Sequence, residues 1–179
     1  YSFQDTVQFN DSVFISGSFI EGETDFLWGR GPAYFDGVKM RELSNSPYMW
    51  VRSTSASHGF VFVNSDFETA SESGAGPFLA RNTIQYRDSE IVLIDCRLGR
   101  INPAAWSLPE NYGQARYWES GSRDIGTNQL VDVSRRHPSS RQLDTARDAA
   151  LIAQYRDPVF VLGGWMPQMQ PIVLTQPQS

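Results

Sequence analysis

The sequence has little of what most functional classes require. It holds one cysteine, Cys96, so an intrachain disulfide is impossible, and the residues around it offer no metal-ligand spacing. It has no apolar run approaching the roughly 18 residues needed to cross a bilayer. The segment Tyr1-Ser2-Phe3-Gln4-Asp5 lacks the basic, apolar and small-residue order of a signal peptide, which a mature chain would already have lost. Lysine is nearly absent, Lys39 being the only one, and no basic cluster is longer than Arg135-Arg136 in a chain of net charge −5. That balance excludes the electrostatic footprint of a nucleic-acid binder. The two histidines, His58 and His137, have no Ser or Cys nucleophile motif nearby, and Ser16-Gly17-Ser18 is not a G-x-S-x-G elbow, so a serine-hydrolase reading has little support. Clustered acidic metal ligands are missing too, and no cofactor is implied.

What is present is a weak internal repeat. Val13-Phe14-Ile15-Ser16-Gly17, Ala33-Tyr34-Phe35-Asp36-Gly37, Val61-Phe62-Val63-Asn64-Ser65 and Val92-Leu93-Ile94-Asp95-Cys96 align as three apolar residues and a small polar pair, each unit beginning one irregular interval after the last. A second short apolar stretch follows each (Phe19-Ile20, Val38 to Met40, Phe67, Leu98), so every unit reads strand, bend, strand. Recurrence at this period without intervening helices predicts an all-β solenoid, a right-handed parallel β-helix; a β-sandwich with Greek-key connections is the alternative that periodicity leaves open. The 179 residues suit a single domain. Coils are expected over about 1–100 and loop-rich coils over about 101–143, with Tyr117-Trp118-Glu119 among long loops. A helix is expected over about 144–156, capped by Asp144, stopped at Asp157-Pro158 and covering the side or end of the solenoid. A closing segment and a loose tail would occupy 157–179.

Two aspartates, Asp5 and Asp25, stand one coil apart, since the step between them equals that from Val13 to Ala33 in the repeat. In a solenoid such residues stack on one face about 4.8 Å apart and can converge on one substrate group. Asp25 lies in an apolar stretch, either as a turn or capping residue or as a functional carboxylate held against its solvation preference.

Gln4-Asp5-Thr6 resembles the QDT signature of pectin methylesterases, and Asp25-Phe26-Leu27-Trp28-Gly29 is similar to their DFIFG signature. Phe78-Leu79-Ala80-Arg81 resembles the family's YLGR, 101–106 its proline-to-tryptophan loop, and 160–165 its closing segment. The resemblance implies a carboxylic ester hydrolase acting on methyl-esterified galacturonate in pectin. Asp25 would attack the ester carbonyl, Asp5 would protonate departing methanol, and Gln4 would donate to the oxyanion. Arg81 would pair with Asp25 and keep it charged, with Asp5 titrating higher. Phe26, Trp28 and Trp106 would either stack on sugar faces or belong to the core; Arg52 would meet a substrate carboxylate or water. Gln4 in an amide ladder and Arg81 in a structural ion pair are the corresponding structural alternatives. By resemblance the protein would work outside the cytoplasm, secreted or periplasmic.

Two departures mark the chain. After Arg81 stands Asn82-Thr83 where the family usually has Pro-Trp, which predicts a wider cleft and keeps open an esterase for a different acyl or thioester substrate, or a non-catalytic carbohydrate-binding relative. The coils that precede QDT in the family are absent, so a separate N-terminal chain or fragment completing the β-helix is expected as a partner.

Overall fold

The computed structural model describes residues 3–113 and 115–168. Its strands follow one another around a three-sided coil. The first turn consists of β1 (Val7–Phe9), β2 (Val13–Ser16) and β3 (Phe19–Gly22), and the second of β4 (Leu27–Gly29), β5 (Ala33–Asp36) and β6 (Lys39–Glu42). The third comprises β7 (Met49–Val51), β8 (Phe60–Val63) and β9 (Asp66–Thr69), and the fourth β10 (Ala80–Arg81), β11 (Glu90–Ile94) and β12 (Arg97–Leu98). A fifth turn of β13 (Trp106–Ser107), β14 (Arg116–Ser120) and β15 (Arg123–Asp124) is followed by β16 (Arg141–Gln142) and two helices, α1 (Ala149–Tyr155) and α2 (Pro158–Val161). Equivalent strands of successive turns pair in parallel, giving three sheets ordered β1-β4-β7-β10-β13, β2-β5-β8-β11-β14-β16 and β3-β6-β9-β12-β15. This is a parallel β-helix, and the strand, bend, strand units expected from the repeat are its second and third sheets.

The bend between those sheets is fixed by backbone conformation. Gly17, Gly37, Asn64 and Asp95 stack in the left-handed region at φ 53°, 62°, 51° and 50°, which glycine, asparagine and aspartate tolerate at the smallest cost. Alignment of these corners corrects one phase of the repeat. Ala33 pairs with Phe60, not Val61, and Phe60 pairs with Ile91, not Val92, so the third and fourth units each begin one position earlier than their apolar triplets suggest. Four consecutive apolar residues in β8 and again in β11 made the triplets ambiguous, and the corners resolve them.

Alternation along the middle sheet divides the core in two. Phe35, Phe60, Phe62, Ile91 and Leu93 fill the coil interior with Phe9 and Phe67, the Phe35 and Phe62 rings stacking at 4.3 Å. Their neighbours Tyr34, Val61, Val63, Val92 and Ile94 form a second cluster with Ile152, Tyr155, Val161 and Leu162. The helices therefore cover the side of the solenoid, and β8 and the Ile91-to-Ile94 part of β11 are continuously apolar because both their faces are buried.

Three expectations along the C-terminal half change. Tyr117-Trp118-Glu119 lies in β14, not in a loop: Tyr117 enters the core and Glu119 is buried in an ion pair with Arg136 at 2.9 Å. Asp144 does cap a turn, accepting from the Ala146 and Arg147 N–H groups, but α1 begins only at Ala149. Asp148, paired with Arg141 at 2.5 Å, accepts from Asp144 N–H and holds the intervening segment as a turn. Asp157-Pro158 ends α1 and starts α2, the Asp157 carboxylate accepting from Val159 N–H with proline in the first turn. Most of the tail expected to be loose lies outside the described residues. No helix among the described residues is long and apolar enough to cross a membrane.

Candidate active site

The first sheet carries the site. Its register stacks Val7, Leu27, Met49, Ala80 and Trp106 in one row and Gln8, Trp28, Trp50, Arg81 and Ser107 in the next. The first row from Leu27 onward is fully covered and faces the interior. By alternation the second faces outward, and it holds the polar and aromatic groups.

Just before this sheet the chain turns a second left-handed corner. Gln4 bridges Thr24 in parallel, which puts Asp5 and Asp25 at equivalent positions one coil apart, both left-handed at φ 53° and 50°. The stacking expected from their spacing is therefore present. Asp5 and Gln4 are exposed, whereas Asp25 is 0% exposed. Keeping a carboxylate there requires a strong partner, and Arg81 supplies it: Nε lies 3.1 and 2.9 Å from Asp25 Oδ1 and Oδ2, and Nη2 lies 2.5 Å from Oδ2.

The pairing matches expectation, but its electrostatic outcome does not. Burial pushes the Asp25 carboxyl above its ordinary value of 3.8; the Arg81 hydrogen bonds and charge oppose this, the Asp5 charge adds to it, and Arg52 opposes it weakly. Desolvation wins because the carboxylate has lost all contact with water while Arg81 keeps a third of its own side chain exposed.

Around this pair lies a stack of cations and indoles. The Arg52 guanidinium sits 4.4 Å from the Trp28 ring and 4.5 Å from Trp50, and Arg81 lies 4.6 Å from the Trp50 ring. Trp50 is fixed by its Nε1–H, which donates to Asn82 Oδ1 at 3.3 Å. Asn82 is itself buried, its amide nitrogen 2.7 Å from Val51 O, Ser89 Oγ and Tyr117 Oη. Thr83, where a tryptophan was expected, is exposed. The aromatic partner of Arg81 thus comes from the preceding coil, where Trp50 lies against its guanidinium.

Trp28 and Arg52 stand on the outer face, in contact with each other. Phe26 and Trp106 do not. Phe26 is 0% exposed against Tyr48, with ring centroids 5.5 Å apart, and Trp106 is 1% exposed against Tyr117 at 5.1 Å. Both are core residues: Trp106 falls in the inward row, and Phe26 follows the Asp25 corner, where strand alternation has not yet begun. Sequence reasoning missed Trp50 and Asn82. The coil step from Trp28 to Trp50 is longer than the one from Gln8 to Trp28, a difference visible only once the register is known. Among the described residues no group of three or more His, Cys, Asp or Glu side chains is placed to hold a metal ion.

No family model matches the chain, and no curated protein matches its sequence. Solved structures match its fold. The pectin methylesterase from Aspergillus niger in deglycosylated form superposes with a TM-score of 0.70 at 21% identity over 90% of this chain and 50% of that one. The pectin methylesterase from carrot gives 0.66 at 18% identity over 87% and 51%, and pectin methylesterase PemA from Erwinia chrysanthemi 0.62 at 19% over 94% and 58%. The chain thus spans about half the length of these structures, and at such identity the likeness is one of fold.

Proposed function

We propose that this chain carries the reacting groups of a carboxylic ester hydrolase that removes methyl esters from galacturonate units of pectin. The observation that supports this most is the fully buried Asp25, held in a fork by Arg81 and stacked one coil from the exposed Asp5. A buried ion pair is a weak device for stability, since its desolvation cost rivals its attraction, so a chemical role is the better account of its presence.

In this reading an ionised Asp25 oxygen attacks the ester carbonyl carbon, and the oxyanion that forms accepts a hydrogen bond from the Gln4 amide. Collapse breaks the bond to methoxide as Asp5 delivers its proton, releasing methanol and leaving a mixed anhydride on Asp25. Asp5, now a carboxylate, takes a proton from water; the hydroxide equivalent adds to the anhydride, and its collapse frees the uronic acid and restores Asp25. The raised affinity of Asp25 for a proton makes it a stronger nucleophile once ionised and requires Arg81 to keep that form accessible. Trp28 and Trp50 present aromatic surface to the sugar chain. A polymer of this size is met outside the cytoplasm, so secretion or export to the periplasm belongs to the same proposal.

Methanol release from highly methylated pectin by the intact protein tests the reading, with Asp25→Asn and Asp5→Asn as variants. We expect release by the parent and its near-complete loss in both variants, with circular dichroism unchanged. Hydrolysis only of other esters, still dependent on Asp25, would replace the substrate; binding of pectin with no hydrolysis would replace the enzyme with a carbohydrate-binding protein.

A further inference from the structure

Where the first sheet turns into the second, a chain of hydrogen-bonded polar side chains runs through the coil interior. The Asn82 amide has one orientation there. Its Oδ1 faces donors, Trp50 Nε1–H at 3.3 Å and Thr83 N–H at 2.8 Å, while its Nδ2 faces Val51 O at 2.7 Å, which can only accept. The buried hydroxyls then have one direction as well. Tyr117 Oη lies between Asn82 Nδ2 at 2.7 Å, which offers no lone pair, and Ser89 Oγ at 2.9 Å, so it accepts from the first and donates to the second. Ser89 in turn donates to Tyr112 Oη at 3.3 Å, and Tyr112 donates to Tyr86 O at 2.5 Å. Burial pushes the Tyr112 and Tyr117 hydroxyls above their ordinary value, so both keep the protons the chain needs.

The chain closes on its own starting point. Tyr86 ends the 3₁₀ turn Ile84–Tyr86, and its ring meets Trp50 edge to face at 6.2 Å. Trp50 is thus held twice, at its N–H by Asn82 and at its ring by Tyr86, and that ring lies 4.6 Å from the guanidinium of Arg81. A buried polar chain carries a desolvation cost that apolar packing avoids, as Phe35, Phe60 and Phe62 show elsewhere in the same interior. What it adds is a fixed orientation, because each link has a single donor sense and each strengthens the next. The group it orients is Trp50.

We propose that Tyr117 and Ser89 are positioning residues of the candidate active site: through Asn82 they fix the Trp50 ring, and the ring holds the Arg81 guanidinium in its fork on Asp25. The fork is then set from inside the coil, by side chains that touch neither solvent nor substrate. Loosening any link lets the guanidinium drift from the carboxylate and makes Asp25 harder to ionise. The inference rests on the esterase reading for what the fork does.

Tyr117→Phe is the test, since it removes the hydroxyl and keeps the ring that packs on Trp106 at 5.1 Å. In the intact protein kcat/KM for methanol release should fall about fivefold on the acid limb, the loss of one neutral hydrogen bond, with the limb displaced to higher pH and the alkaline plateau unchanged. Ser89→Ala, a smaller change at the next link, should do the same. In a Trp50→Phe background, which keeps a ring and removes the N–H, Tyr117→Phe should have no further effect on the limb. An acid limb unmoved in both variants, a loss uniform with pH, or the same loss in both backgrounds overturns the proposal. Separately, the Asp25 carboxyl is titrated by NMR in protein isotope-labelled at the aspartate carboxyls, its signal assigned with Asp25→Asn. An upward displacement of that titration in Tyr117→Phe supports the positioning role even if no pectin yields methanol, in which case the esterase reading alone falls. Normal methanol release with Asp25 titrating alike in the parent and in Tyr117→Phe overturns the positioning role and spares the esterase.

Discussion

Replacing Arg81 with glutamine isolates the electrostatic core of the site. Arg81 makes two strong contacts to Asp25, through Nε and Nη2. Hydrogen bonds to a charged group are each worth about 1.5–3 kcal/mol, and the low end applies because a third of the Arg81 side chain is in water. The ionised form of Asp25 therefore loses about 3 kcal/mol of support, which at pH values below the parent's own acid limb is a fall of about a hundredfold in the rate that depends on it. Burial already raises this carboxyl and Arg81 opposes the rise, so removing Arg81 raises it further. The acid limb of kcat/KM for methanol release should move to higher pH, with activity recovering in part as pH is raised. Arg81→Lys, which keeps the charge but not the fork, should fall between the two. Linkage gives a second readout of the same sign. A carboxyl whose pKa is raised by folding contributes stability below the unfolded value of 3.8 and loses it as pH rises through the folded value. Relative to the parent, Arg81→Gln should therefore be little changed in Tm at acid pH and lowered at alkaline pH. A uniform loss of rate at every pH with the acid limb unmoved would refute the account and assign Arg81 to the transition state instead.

Glu90 gives the opposite sign. It is fully buried, and although burial pushes its carboxyl up, His58 at 2.8 Å, the Arg116 charge and the Tyr155 hydroxyl outweigh this and hold it below 4.5. Its contribution is present above the unfolded value and lost as pH falls through the folded one, so Glu90→Gln should cost about 3 kcal/mol at pH 7. That lowers Tm by roughly 6–12 °C, with the difference shrinking below about pH 4; a Tm difference that is constant with pH would sink the argument. Asn82→Ala removes the anchor of Trp50 and leaves buried acceptors at Val51 and Tyr117. A loss of about 2–3 kcal/mol should accompany a shift in tryptophan emission and a raised KM for pectin, and an unaltered emission would mean that Trp50 is held by its arginine neighbours alone.

Much of this protein was legible in one dimension because a solenoid makes distance along the axis proportional to distance along the chain. Apolar triplets closed by Gly, Asn or Asp marked the coils, and the one-coil interval between Asp5 and Asp25 sufficed to stack them. The fork from Arg81 to Asp25 had only resemblance behind it, since the two lie more than one coil apart in the chain. Coils of unequal length hid the rest. Trp50 and Trp28 become neighbours only through a lengthened coil step, and Asn82 reads as a lost proline until its amide is seen between Trp50 and Tyr117. Phe26 and Trp28 look like partners on one face, yet the left-handed corner at Asp25 interrupts the alternation and sends one inward and the other out. Composition told which residues could carry charge and stack. The sign of the Asp25 shift was decided by how much water each partner of the ion pair keeps, and that is a property of the packed coil and not of the sequence.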